Sequence, residues 1–162
     1  MIKTSNEITI HKPIDEVMKL FKEQDYFQHW QKGLVSFKNL SSQTGQVGSK
    51  RSMRIKTSVA TISMIEEITQ LDLPHLWAAT YRTRGVVNEQ CNRFRESVIK
   101  NNNSQHKVTL WQASSTFKFT GMMRLAAKAN PKVFTSQTLQ HMQDFKIFAE
   151  TGKSVKTGDY VL

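Results

Sequence analysis

The chain has 162 residues and a formal net charge of +10, with 38 % hydrophobic and 22 % charged residues, 7 Gly and 3 Pro. That balance suits one globular core and excludes a fibrous or disordered chain. The single cysteine, Cys91, excludes an intramolecular disulfide and a zinc site built on several thiolates.

Ile8 and Ile10 alternate with Glu7, Thr9 and His11, the period-two signature of a half-buried strand. Pro13 stops that strand and suits the first turn of a helix, with Asp15 and Glu16 at the positive end of its dipole. Ile14, Val17, Leu20 and Phe21 give this helix one apolar stripe. A second short helix is expected over 25–31, where Phe27 and Trp30 share a face and Gly33 closes it. From Leu34 to Phe119 the texture is that of strands. Leu34, Phe37 and Leu40 mark a first run, ended by the turn Ser41-Ser42-Gln43-Thr44-Gly45. Strands over 47–55 and 59–68 flank Lys56-Thr57-Ser58 as a hairpin, and Leu71-Asp72-Leu73-Pro74 breaks the chain before a strand over 76–82. Gly85 turns into a strand over 86–99, and an Asn-rich linker leads to the last, over 107–119. Thr109, Trp111, Ala113, Ser115, Phe117 and Phe119 share one side of it, read as the inward face.

After Gly121 the period becomes helical. Met122, Leu125, Ala126 and Ala129 form a first apolar stripe, interrupted at Asn130-Pro131. A second runs through Phe134, Thr138, His141, Met142, Phe145, Phe148 and Ala149 to Gly152, on a helix of about 20 residues and about 30 Å. Residues 153–162 read as a polar, flexible tail. Elements segregated in this way indicate an α+β domain with an antiparallel sheet. A sheet of six to seven strands curls as it twists, and a helix laid across it leaves a concave apolar space.

The order Ile8-Thr9-Ile10, Pro13, Val17 and Leu20-Phe21 continues with Trp30 before a strand, then Thr44-Gly45 with Val47-Gly48, and Pro74. Phe94, Gly121 and the closing Phe145-Lys146-Ile147-Phe148-Ala149-Glu150 complete a pattern over roughly residues 3–151. This pattern resembles the START-like (SRPBCC) superfamily, which includes polyketide cyclase/dehydrase-like proteins, pollen-allergen-like proteins and lipid-transfer domains. The resemblance implies a helix-grip fold over 1–152, its curved antiparallel sheet wrapped on a long C-terminal helix around a hydrophobic tunnel, with two short helices after the first strand. It does not select between carriers and enzymes.

No His-Glu-x-x-His or paired-histidine spacing joins His11, His29, His75, His106 and His141, so neither a metal nor a cofactor is expected. His141 shares a helix face with Thr138, Met142 and Phe145. It reads either as a satisfied core or rim residue or as a ligand contact. Glu66 and Glu67 could supply one inward carboxylate, but as adjacent strand residues they face opposite ways and cannot converge. Met53, Met64, Met122, Met123 and Met142 suit an adaptable apolar interior. Arg93 and Arg95 fall opposite Phe94 and read as exterior.

The leading expectation is a small cytoplasmic protein enclosing a hydrophobic or amphipathic molecule between sheet and helix. Trp30, Met53, Tyr81, Phe94, Trp111, Phe117, Phe134, Thr138, His141, Met142 and Phe145 would line that space. No transmembrane segment or signal peptide is expected; a homodimer stays open. The alternative is a cyclase- or dehydratase-type enzyme in the same cavity, with His141 or Tyr81 moving protons. A third reading, less favoured, is a nucleic-acid adaptor using Lys50, Arg51, Arg54 and Lys56.

Overall fold

The computed structural model describes residues 1–162. Its strands are β1 (Ile2–Ile10), β2 (Leu34–Asn39), β3 (Lys50–Lys56), β4 (Thr61–Asp72), β5 (Leu76–Thr83), β6 (Val86–Asn101) and β7 (Ser104–Phe119). The helices are α1 (Ile14–Lys22), α2 (Phe27–Trp30), α3 (Met122–Ala129) and α4 (Lys132–Thr151), with a 3-10 turn at Gln24–Tyr26. One sheet of seven strands runs in the order β1-β7-β6-β5-β4-β3-β2, every neighbouring pair antiparallel. Bulges after Leu34 and Ile68 add bend to a sheet that already twists. The architecture is the α+β helix grip expected from the sequence.

Local chemistry sets the ends of the elements. Asp15 and Glu16 occupy the first turn of α1 and Lys19 and Lys22 its last, matching the helix dipole at both ends. The free Ile14 N–H donates to Glu96 Oε2 at 3.1 Å, and this bond holds the Glu96 carboxyl below its usual pKa range. Two strands start later than the apolar runs suggest. Val47 and Val59 are exposed and lie in turns, because Gly48 turns the chain at φ 87° and Thr57 caps the 57–60 turn through its hydroxyl.

The core lies between the concave face of the sheet and the helices. Phe21 of α1 sits at its centre, with ring centroids of Trp30, Trp77, Phe94, Trp111 and Phe145 between 5.2 and 5.7 Å away. Burial of each such side chain contributes roughly 1.5–3 kcal/mol. A second, smaller cluster gathers Val86, Phe117, Phe119 and Ala127 with Ile2, Met123 and Phe134 at the α3 end.

The tail beyond Gly152 departs from expectation. Instead of fraying it folds back: Val155 N–H donates to His29 C=O at 2.8 Å, and Val161 N–H to Gly152 C=O at 2.9 Å. Ser154 is buried, and Val155 and Val161 pack on the main core. Backbone hydrogen bonds to His29 and Gly152, with the two valines packed on the core, fasten this strap.

Candidate functional site

Strand register sorts the concave face into bands. Phe94 pairs with Trp111, Asn92 with Ala113, Gln90 with Ser115, Asn88 with Phe117 and Val86 with Phe119. Alternation therefore turns Asn88, Gln90 and Asn92 inward along with Phe94. On the neighbouring strands Thr4 pairs with Ser115, Asn88 with Tyr81, Tyr81 with Glu66, and Glu66 with Arg51. A polar belt thus crosses the inner face between the aromatic core and the smaller Phe117–Phe119 cluster. Helix α4 spans all three bands. Phe134 meets Phe119 at 4.8 Å, Phe145 meets Trp111 at 5.5 Å, and Thr138 and His141 fall between those two anchors.

The belt is only partly paired. Trp111 Nε1 donates to Asn92 Oδ1 at 3.0 Å, and Gln90 Nε2 to the same oxygen at 3.2 Å. Thr4 Oγ1, Asn6 Nδ2, Asn88 Oδ1 and Ser115 Oγ are sealed from solvent without a partner, as is Trp30 Nε1. Buried polar atoms are rarely left in this state, because each costs about 1–3 kcal/mol.

At the β3–β4 side of the belt, Arg51 Nε donates to Glu66 Oε1 at 2.9 Å and Nη2 reaches the same oxygen. These side chains are only 8 % and 6 % exposed, and the guanidinium lies 4.4 Å from the Phe27 ring centroid. A solvent-open cleft of about 310 Å³ between the end of α1 and the β2–β3 turn reaches this pair. Gln24 and Asn39 join side-chain amides across its rim at 2.9 and 3.1 Å. Burial, and then the Glu66 carboxylate, push the Tyr81 phenol well above its ordinary pKa. Burial likewise lowers His141 to about 4, against the opposing pull of Asp144, and its ring packs 4.9 Å from Trp30. Both groups are neutral at physiological pH.

The eleven residues singled out in the sequence therefore divide. Trp30, Met53, Phe94, Trp111, Met142 and Phe145 interlock as packed core, so the expected tunnel is filled by protein at the α1–α2 end. Tyr81, Thr138 and His141 border the belt, and Phe117 and Phe134 belong to the smaller cluster. Arg51, read with a basic surface group, faces inward because Met53 and Ile55 share its parity; Lys50, Arg54 and Lys56 point outward. Met122, read as interior, is exposed. Sequence reading missed Thr4, Asn6, Asn88, Ser115 and the Arg51–Glu66 pair. The parity of β6 about Phe94, and of β4 about Ile68, was the signal that could have found Asn88 and Glu66.

No family model matches the sequence, and no curated protein does. Solved structures do share the fold. TTHA0849 from Thermus thermophilus aligns with a TM-score of 0.65 at 12 % identity, covering 91 % of this chain and 97 % of that one. Norcoclaurine synthase from Thalictrum flavum, in complex with dopamine and hydroxybenzaldehyde, aligns at 0.62 and 13 %, covering 90 % and 83 %. DR_A0006 from Deinococcus radiodurans aligns at 0.58 and 14 %, covering 94 % and 99 %. The chain shares with these structures a helix-grip fold, a seven-stranded antiparallel sheet set against a long C-terminal helix.

Proposed function

We propose that this is a cytoplasmic binding protein for a small amphipathic molecule, held between the sheet and the α3-proximal half of α4. The observation that carries the reading is the row of unpaired, sealed atoms on the inner face, Thr4 Oγ1, Asn6 Nδ2, Asn88 Oδ1 and Ser115 Oγ. A polar group of the ligand would pair with them, and its apolar part would lie among Phe117, Phe119 and Phe134. For this, the first turns of α4 must lift from the sheet. Half-buried Phe134 is the main aromatic anchor there. Neutral His141 and protonated Tyr81 favour binding over a cyclase- or dehydratase-type reaction, which would need one of them to exchange a proton near neutral pH.

Native mass spectrometry of the purified protein, together with titration of an amphipathic fluorescent probe, tests the proposal. Ser115→Ala removes an orphaned hydroxyl, so the ligand-free protein should unfold at equal or higher denaturant concentration while probe affinity falls. Unfolding at clearly lower denaturant, with unchanged probe binding, would sink this reading.

A further inference from the structure

The stripe Met122, Leu125, Ala126 and Ala129 has the spacing of a core-facing helix surface, yet α3 buries its other side. Met123 and Ala127 pack on the sheet, with Met123 seated against Gly85. Met122 and Leu125 are 85 % and 67 % exposed, and Val133, just past the Pro131 break, is 43 % exposed. An apolar row of this kind, open to water on a monomer, marks a contact surface. Its flanks are basic: Arg124 and Lys128 on α3, Lys132 on α4, and Arg84 beside Gly85. Between Glu96 and Asp144 the chain carries no acidic residue at all.

We propose that α3 and the first turn of α4 dock, apolar row downward, on an anionic lipid bilayer surface. An apolar row edged by Arg and Lys is the pattern of helices that lie in the membrane interface. Charge complementarity selects this occupant. A second copy would bring the same basic flanks against this face, and nucleic acid would leave Met122 and Leu125 without an apolar counterpart. Only outward side chains take part, so docking does not depend on whether the interior takes a ligand.

Sedimentation with phosphatidylcholine vesicles, with and without phosphatidylserine, tests it. The protein should pellet with the anionic vesicles, release at high ionic strength, and stay in solution with phosphatidylcholine alone. Neutralising Arg124, Lys128 or Lys132 to Gln should weaken binding about five-fold each. Met122→Ser with Leu125→Ser should weaken it about ten-fold or more while leaving the unfolding curve in place, since both side chains are solvent-exposed. As a second readout, Leu125→Trp should give a blue-shifted emission on adding anionic vesicles. The native Trp30, Trp77 and Trp111 are already buried. Absence of phosphatidylserine-dependent binding overturns the proposal. So does binding that ignores the serine pair, or emission at position 125 that does not move.

Discussion

Glu66 and Arg51 carry most of the charge that this molecule hides. Removing one partner of a buried pair leaves the other desolvated and uncompensated, at a cost of about 3–5 kcal/mol. Glu66→Gln should therefore lower the urea midpoint sharply, and Arg51→Met combined with Glu66→Leu should recover most of the loss. A single variant no less stable than wild type would show that the pair contributes nothing. His141 makes the opposite kind of prediction. Its native pKa of about 4 lies below the ordinary value of 6.5 in an unfolded chain. Below about pH 6.5 the unfolded chain takes up a proton that the native state refuses until about pH 4. Stability is thus full above that window and falls as the pH drops through it, by on the order of 3 kcal/mol. His141→Gln should flatten the curve between those pH values, measured as urea midpoints against pH. An unchanged slope would place the titration elsewhere.

At the scale of elements, α3 is held by a close fit at one glycine. Gly85 has φ +76°, and a Cβ there would stand 2.8 Å from Met123 Cγ and 3.2 Å from the Thr120 carbonyl oxygen. Gly85→Ala combines left-handed backbone strain with that overlap, so a loss of about 1–3 kcal/mol is expected. Hydrogen exchange should quicken in α3 and leave β3 and β4 unaffected. Uniform exchange across the sheet would contradict this coupling. The C-terminal strap answers to different physics. Its backbone bonds to His29 and Gly152 fix it, with Val155 and Val161 excluding water from the joint.

For the whole molecule, the two ends of the grip are unequal. Around Phe21 the rings interlock and leave a solid core. Around Phe117 and Phe119 the cover is thinner, one half-buried phenylalanine and a short helix. The unpaired polar belt lies between them, so that loosening of the cover would expose acceptors and donors together. No helix is long and apolar enough to cross a membrane.

Periodicity by itself determined the α+β class, the inward face of β7 and the inward stripe of α4. In β7 and α4 the repeat of large apolar side chains is long enough that only one face can be buried. The same logic extends to Asn88 and Glu66, whose parity was readable although their lack of apolar character hid it. Tertiary packing decided the rest. Whether Trp111 lines a hole or plugs it depends on how large rings from α1, α2 and α4 meet, and no local pattern encodes that. Which face of α3 is buried turns on Gly85, far away in sequence, accepting Met123. The fate of the last ten residues likewise depends on an apolar surface that exists only once the sheet has closed over its helices.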